Sequence, residues 1–123
     1  MEFDPLSHKV IGCALEVHRF LGPGLLESAY ERCLAHELSL AEIPFNLQVS
    51  LPIHYKELRL DCGYRIDVMV ANSLIIEIKS VEKILDIHKA QLLTYMKLSG
   101  RGIGLLMNFN VAIFQNGLQR FVI

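Results

Sequence analysis

The chain of 123 residues has the length of one domain and can bury a core without a disulfide or a structural metal. Apolar residues make up 52% of it and charged residues 20%, which excludes a disordered or linker protein. Twelve Lys and Arg against thirteen Asp and Glu give a net charge of -1, so binding to nucleic acid requires a local patch. We predict a single domain over residues 1–123.

The three cysteines, Cys13, Cys33 and Cys62, are odd in number and widely spaced. This pattern excludes a disulfide framework or a zinc knuckle and is typical of free thiols in a reducing compartment. The first residues lack the basic and apolar regions of a signal peptide, and no apolar run approaches the length that spans a membrane. We therefore expect a cytoplasmic protein with no membrane partner.

Three helices are predicted in chain order. The first begins at Asp4 and Pro5, which suit the N-cap and the first turn, and ends at the Gly-Pro-Gly of residues 22–24. The second covers residues 25–40. The third has Asp86 as its predicted N-cap and ends near Gly100, which suits a left-handed C-cap.

The remaining segments alternate with period two or are short apolar runs, which is typical of strands. We predict six strands, over residues 48–55, 59–70, 74–81, 103–109, 111–114 and 118–123. The dipeptide Asn116-Gly117 predicts a tight hairpin turn between the last two. The order ααβββαβββ predicts an α/β fold in which helices flank a mixed β-sheet.

Charged residues alternate along the second and third predicted strands. If residues 71–73 form a three-residue loop, Asp67 lies opposite Glu77, and Arg65 lies opposite Lys79. A two-residue loop would mix charge into both faces of the hairpin, so the pattern favours the three-residue loop. The other face is then wholly apolar, with three pairs: Val70 with Leu74, Val68 with Ile76, and Ile66 with Ile78.

Two carboxylates directly opposite each other destabilise a strand pair, because like charges repel. A divalent cation would offset the repulsion between Asp67 and Glu77, and Mg²⁺ suits them because it takes one or two carboxylates and keeps waters and phosphate oxygens as other ligands. Lys79 would then hold a water or neutralise phosphate charge. The alternative is a cross-strand lattice of these three residues and Arg65 on a solvated face.

Further polar side chains are spaced so that they share a helix face: His88, Gln91 and Tyr95 on the third helix, Glu27 and Tyr30 on the second, and His18 on the first. Each has an ordinary alternative. The tyrosines are typical core aromatics with a hydrated hydroxyl, Gln91 is typical of a surface, and His18 is typical of a partly buried histidine.

The segment Gly24-x-x-Glu27-x-x-Tyr30, preceded by Val17-His18 and Leu21-Gly22-Pro23, resembles the motif that names the GxxExxY proteins, small members of the PD-(D/E)XK nuclease superfamily. The ordered set of matching segments is more specific than any one motif. The match continues along nearly the whole chain, through Tyr64-Arg65-Ile66-Asp67, Ile76-Glu77-Ile78-Lys79, Gln91-Leu92-Leu93-Thr94-Tyr95 and Gly104-Leu105-Leu106-Met107-Asn108-Phe109.

This resemblance implies a restriction-endonuclease-like core, in which a helix precedes a three-stranded meander that is followed by a helix and a further strand. It also implies metal-dependent hydrolysis of phosphodiester bonds, with DNA as the expected substrate. Asp67, Glu77 and the backbone carbonyl of Ile78 would hold Mg²⁺ or Mn²⁺. Glu27 matches the helical glutamate of the family and would reach the metal through water or a second ion.

The resemblance assigns roles to further residues. Lys79 matches the lysine of the D…E-x-K motif and would orient the attacking water. Gln91 and Tyr95 are similar to the Q-x-x-x-Y motif of the RecB and lambda-exonuclease-like branch and would position Lys79 or the phosphate backbone. The chain departs from the superfamily's name at Ile66, where the name has a proline that is often replaced. Four residues are expected to line the same cleft: His18, Tyr30, Arg65 and His88.

A second interpretation is a module that keeps this fold with little or no turnover and binds nucleic acid or a protein partner. The short predicted loops favour it, whereas the intact acids and lysine favour the nuclease. Apolar residues 121–123 at a predicted sheet edge lead us to expect a homodimer. Specificity would come from a protein partner or from DNA structure, and a modest basic patch is expected from Lys83, Lys89, Lys97 and Arg101.

Overall fold

Three α-helices, seven β-strands and a 3₁₀ turn follow one another in residues 4–123, which the computed structural model describes. The helices are α1 (Pro5–Leu21), α2 (Glu27–Leu40) and α3 (Asp86–Ser99). The strands are β1 (Phe45–Ser50), β2 (Ile53–Tyr55), β3 (Leu58–Leu60), β4 (Arg65–Val70), β5 (Leu74–Lys79), β6 (Ile103–Asn108) and β7 (Leu118–Val122). The 3₁₀ turn, Phe114–Gly117, lies between β6 and β7.

Five strands form one sheet in the spatial order β1-β4-β5-β6-β7. β5 and β6 are parallel and are connected through α3, while the other neighbouring pairs are antiparallel. The predicted α/β class with a mixed sheet is therefore confirmed. The helix, meander, helix and strand of the expected restriction-endonuclease-like core are all present, with a separate β2–β3 hairpin inserted between β1 and β4.

Helices cover both faces of the sheet. Successive residues of β5 point to opposite sides, so the strand contributes side chains to the core on each face. Ile76 belongs to an apolar cluster with α1 and α2, and Ile75 belongs to a second cluster with α3. Strand β5 is buried along most of its length, so its side chains form the centre of both clusters. None of the helices described over residues 4–123 is long and apolar enough to cross a membrane.

The helix ends follow the predictions at two places and differ at a third. Asp4 caps α1 by accepting a 3.0 Å hydrogen bond from the backbone N–H of Ser7, and Gly100 ends α3 in the left-handed region. The prediction that Asp86 is the N-cap of α3 was wrong, because Asp86 is already the first helical residue. Instead, Leu85 is the N-cap residue, and its backbone N–H donates to Nδ1 of His88 at 3.0 Å. The polar side chain at this helix end therefore belongs to His88, in the first turn of α3.

The predicted strands 48–55 and 59–70 are each divided in two. Pro52, which has no N–H to donate to a ladder, separates β1 from β2, and Gly63, with a φ of +79°, separates β3 from β4. Between these breaks β2 and β3 pair only with each other. The period-two pattern continues across both breaks, so it could not show them.

The predicted hairpin at Asn116-Gly117 was also wrong. Residues 111–114 form no strand, because Phe114 turns into the core, where its ring lies 5.0 Å from that of Phe109. Gly117 lies against the backbone carbonyl of Asn108, with no room for a Cβ atom. β7 therefore pairs with β6 rather than with the preceding segment.

Candidate metal centre

The β4–β5 hairpin has the predicted three-residue loop. Val70 lies opposite Leu74, and the N–H of Ser73 donates to the carbonyl of Val70 at 3.0 Å. Ala71 and Asn72 have φ values of +50° and +52°, which close the turn. The predicted register of the hairpin is thus confirmed next to its loop.

The β4–β5 ladder stops at Val68 and Ile76, one step before the two acids. There, side chains take the place of backbone partners: the N–H of Asp67 donates to Oε1 of Glu77 at 3.3 Å, and the N–H of Ile78 donates to Oδ2 of Asp67 at 2.8 Å. The two carboxylates are therefore adjacent, as the register predicts, and each is held by a backbone N–H from the opposite strand.

This break corrects two of the predicted cross-strand pairs. Ile66 packs in the cluster on the α3 side of the sheet, whereas Ile78 packs in the cluster with α1 and α2, so they do not share one apolar face. Arg65 and Lys79 are likewise outside the β4–β5 ladder, and Arg65 is exposed while pairing with Ser50 of β1. The side-chain alternation of β4 is interrupted at Asp67, where the side chain rather than the backbone accepts the hydrogen bond from β5.

Glu77 is buried, with 4% of its surface exposed. Burial and the neighbouring Asp67 carboxylate raise the pKa of Glu77 to about 8, although Lys79 and the N–H of Asp67 favour its charged form. A buried carboxylate next to a second carboxylate needs either a proton or a cation. Both side chains offer hard oxygen atoms, which are the donors that Mg²⁺ and Mn²⁺ prefer.

Lys79 is the last residue of β5 and is half-buried beside the acids. The buried side chain of Asn108, its neighbour on β6, fixes the chain that follows Lys79. Asn108 Oδ1 accepts from the N–H of Val81 at 3.1 Å, and its Nδ2 donates to the carbonyl of Val81 at 2.9 Å. Sequence reasoning missed this role; the available signal was an asparagine at the end of an apolar strand.

Glu31 and Gln48 were missed as members of the centre. Nε2 of Gln48 donates to Oε1 of Glu31 at 2.6 Å and to Oδ1 of Asp67 at 3.4 Å. Burial and the charge of Asp67 raise the pKa of Glu31, while the bond from Gln48 and the charge of Arg32 oppose that shift. Helical spacing could have indicated Glu31, because it lies one turn after Glu27.

Glu27, the predicted helical glutamate, is the exposed first residue of α2. Within residues 4–123, no hydrogen bond or ion pair joins Glu27 to Asp67 or Glu77. The carboxylate of α2 that the structure links to Asp67 is that of Glu31. A role for Glu27 through water stays a prediction.

Gln91 and Tyr95 lie on the side of α3 that faces the acids. Nε2 of Gln91 donates to the hydroxyl of Tyr95 at 3.2 Å, and the ring of Tyr95 meets that of Tyr64 edge-on at 6.2 Å. Burial and the nearby charge of Glu77 raise the pKa of Tyr95, which indicates that its hydroxyl is within electrostatic reach of the acids. His88, on the same helix, bonds instead to the backbone at the helix start.

Tyr30 and His18 lie in the core between the helices and the sheet rather than among the acids. Tyr30 is fully buried, its ring stacks on Phe109 at 4.6 Å, and its hydroxyl donates to the carbonyl of Gly22 at 2.6 Å. Nε2 of His18 lies 2.7 Å from the carbonyl oxygen of Val111, and its ring packs on Phe109. The contacts of both residues are those of core side chains.

Tyr30 has one indirect link to the centre. Its hydroxyl also accepts from the N–H of Leu25 at 3.1 Å, and the carbonyl of Leu25 accepts from the hydroxyl of Ser80 at 2.5 Å. Ser80 directly follows Lys79. The tyrosine of the sequence motif thus fixes the loop before α2 against the end of β5.

Across residues 4–123, no three His, Cys, Asp or Glu side chains are grouped so that they could together hold a metal ion. The centre therefore has two adjacent carboxylates, with a third, Glu31, joined to them through Gln48. Two carboxylates fit Mg²⁺, which usually retains several waters.

A family model described as the PD-(D/E)XK nuclease superfamily matches residues 4–121. The chain belongs to the PD-(D/E)XK nuclease superfamily. No curated protein and no solved structure matches the chain.

Membership of the PD-(D/E)XK superfamily agrees with the mixed sheet and its flanking helices. The narrower resemblance to the GxxExxY proteins stays a prediction, as do the roles of individual residues. For this PD-(D/E)XK chain, the two acids and the lysine of the motif are predicted at Asp67, Glu77 and Lys79, which the structure places at the adjoining ends of β4 and β5.

Proposed function

We propose that the protein is a metal-dependent nuclease that hydrolyses phosphodiester bonds, with DNA as its substrate. The observation that carries the proposal is the buried carboxylate of Glu77 beside that of Asp67, in a chain of the PD-(D/E)XK nuclease superfamily. A purely structural hairpin gains nothing from two adjacent acids, since their repulsion destabilises it.

Asp67 and Glu77 would hold Mg²⁺ or Mn²⁺, together with the backbone carbonyl of Ile78. When bound, the ion supplies positive charge for the scissile phosphate and a more acidic water. Lys79 would orient an attacking water or neutralise phosphate charge, and Asn108 fixes the chain that follows this lysine. Gln91 and Tyr95, whose side chains bond to each other on α3, would position Lys79 or the phosphate backbone.

Net charge sets the strength of binding that we expect. With a net charge of -1, the protein has no general attraction for a polyanion. Lys83 and Lys97 are exposed near α3, whereas Arg101 is partly engaged by Asn72 at 2.9 Å. We therefore propose weak unaided DNA binding that falls steeply with salt, and a protein partner that supplies specificity.

Two further proposals concern the state of the protein in the cell. β7 is a sheet edge, and its last residue, Val122, and the following Ile123 are 60% and 56% exposed, so we propose a homodimer formed through this edge. We also propose a cytoplasmic location, which three free cysteines at widely spaced positions support.

The proposed activity is tested with a panel of linear, nicked and branched DNA and of RNA, in the presence of Mg²⁺ or Mn²⁺. We expect cleavage of at least one DNA substrate and at least a 100-fold loss in Lys79→Ala. Lys56→Ala, at an exposed lysine of the β2–β3 turn, is the matched control and should cleave as the wild-type protein does. Cleavage that persists in Lys79→Ala would contradict the proposed role of the lysine.

The alternative is a module that binds nucleic acid or a protein with little or no turnover. The specific observation in its favour is that, within residues 4–123, a third metal-ligating side chain does not converge on the two acids. Metal binding without cleavage of any substrate in the panel would favour this alternative over the nuclease.

A further inference from the structure

Gln48 lies on the edge strand β1, directly opposite Asp67. The β1–β4 ladder contains the pairs on either side of this position, Leu47 with Val68 and Val49 with Ile66, but not the pair of Gln48 with Asp67. No residue is inserted in either strand, because the pairs on both sides keep the same register. The ladder is therefore interrupted only where Gln48 faces the acid.

The backbone of Gln48 is in the left-handed region, with a φ of +51°. Residues other than glycine rarely adopt this conformation, and a long side chain inside a strand gains nothing local from it. Unfavourable backbone conformations persist where the surrounding structure imposes them, and they often lie at functional sites.

What this conformation achieves is a bridge between two carboxylates. The amide nitrogen of Gln48 has two hydrogens, and it donates to Glu31 on α2 at 2.6 Å and to Asp67 on β4 at 3.4 Å. Without a donor between them, these two carboxylates would repel each other. The bridge therefore holds a helix carboxylate next to one of the acids that flank the proposed metal position.

We propose that Gln48 is a positioning residue for the metal centre, which holds the Glu31 carboxylate beside Asp67 so that both are in place when the divalent cation binds. This inference rests on the proposed function and adds two residues to it. It also selects Glu31, rather than Glu27 one turn earlier, as the carboxylate of α2 that adjoins the centre. Gln48 itself need not touch the metal or the substrate.

The test measures Mn²⁺ and Mg²⁺ affinity by calorimetry, without nucleic acid, and thermal stability in the same samples. Gln48→Gly and Gln48→Ala both remove the amide, but only glycine suits the left-handed backbone. We expect both variants to lose affinity equally, by about 10–100-fold, as for other residues that orient metal ligands. We expect the glycine variant to melt at a higher temperature than the alanine variant.

This pair of variants separates positioning from a merely structural role. If Gln48→Ala loses affinity and Gln48→Gly does not, the backbone and not the amide matters, and the inference is overturned. Unchanged or increased affinity in both variants also overturns it, because an amide that competes with the metal would have that effect.

Combining Gln48→Gly with substitutions on α2 tests whether Gln48 acts on metal affinity through Glu31. In a Glu31→Gln background, Gln48→Gly should cause no further loss of affinity, since the amide then has no helix carboxylate to hold. In the matched Glu27→Gln background, Gln48→Gly should lower metal affinity as much as it does in the otherwise wild-type protein. The reverse result overturns the assignment of Glu31.

The failure of this inference differs from the failure of the proposed function. Metal binding by the wild-type protein with equal affinity in the Gln48 variants overturns the inference alone. Absence of Mn²⁺ and Mg²⁺ binding by the wild-type protein overturns the proposed function, and with it the inference.

Discussion

Two residues at the centre have unfavourable properties: a buried carboxylate and a left-handed backbone conformation. Within residues 4–123, Glu77 is the one buried carboxylate, and it lies beside a second acid. Gln48 keeps a left-handed backbone to reach Glu31 and Asp67. Both features are unfavourable in themselves, and a cation at the centre would offset the cost of the buried Glu77 carboxylate.

The first prediction at this scale concerns pH. The pKa of Glu77 is about 8 in the folded protein and 4.5 in its ordinary state, so its protonation stabilises the fold. This contribution is fully present below about pH 4.5 and is lost as the pH rises to about 8. Glu77→Gln has no carboxyl group to ionise, so it should keep its stability as the pH rises. At pH 8 the metal-free variant should be more stable than wild type by roughly 2–5 kcal/mol.

Urea unfolding between pH 5 and 8.5, with a chelator present, measures this difference. The gap between Glu77→Gln and wild type should widen as the pH rises. Glu57→Gln, at an exposed glutamate of the β2–β3 turn, should stay within about 0.5 kcal/mol of wild type at every pH. Parallel curves for Glu77→Gln and wild type would contradict the prediction.

Residue identities could be predicted where one pattern fixes them. Strand alternation and the loop length predict that Asp67 faces Glu77. The structure confirms the register next to the loop and brings these two residues into contact, whereas the predicted pair of Arg65 with Lys79 does not form. The contacts of Glu31, Gln48 and Asn108 could not be predicted, because their partners are 17 to 27 residues away along the chain. Their roles depend on which elements become neighbours in the fold.

Individual elements were predicted well in position and less well in their ends. The region after β6 shows why: Asn116-Gly117 is typical of a hairpin turn, but Phe114 and Gly117 are both buried. The free energy gained by burying the Phe114 ring exceeds the local preference for a hairpin. Tertiary packing thus decided the conformation of this segment.

Two glycine substitutions test that explanation. At Gly117, an added Cβ would meet the backbone carbonyl of Asn108, which cannot move as a flexible side chain can. Gly117→Ala should therefore destabilise the protein by about 1–3 kcal/mol. At Gly12, in the middle of α1, an added Cβ meets nothing within 4 Å, so Gly12→Ala should stabilise the protein by about 0.5–1 kcal/mol.

Urea or thermal unfolding of the two variants, which carry the same substitution, gives the comparison directly. Because Asn108 also holds the chain after Lys79, Gly117→Ala should in addition lower cleavage, whereas Gly12→Ala should leave it unchanged. Equal stability of the two variants would show that the 3₁₀ turn can relax without cost.

At the scale of the whole molecule, the near-neutral charge conceals an uneven distribution. Glu31, Asp67 and Glu77 gather at one end of the sheet, although they come from α2, β4 and β5. These acids repel one another in the folded state, because the fold brings the three elements together. A cation bound there would stabilise the folded state as a whole, because the unfolded chain does not assemble the site.

Thermal unfolding with and without divalent cation tests this at the molecular scale. At a concentration about 100 times its dissociation constant, Mg²⁺ or Mn²⁺ should raise the free energy of unfolding by about 2.7 kcal/mol. Asp67→Asn should abolish the increase, while Asp61→Asn, at an exposed aspartate before β4, should retain it. An equal response of the two variants would place the cation elsewhere.

The sequence by itself determined the α/β class, the helices, the hairpin register and the two adjacent acids, because helical and strand periodicities and a three-residue loop are local properties. The tertiary structure alone decided that the ladder breaks at Asp67, that Ile66 and Ile78 pack on opposite sides, and that Gln48 bridges Glu31 to Asp67. These features depend on contacts between distant segments, whose free energies outweigh local preferences.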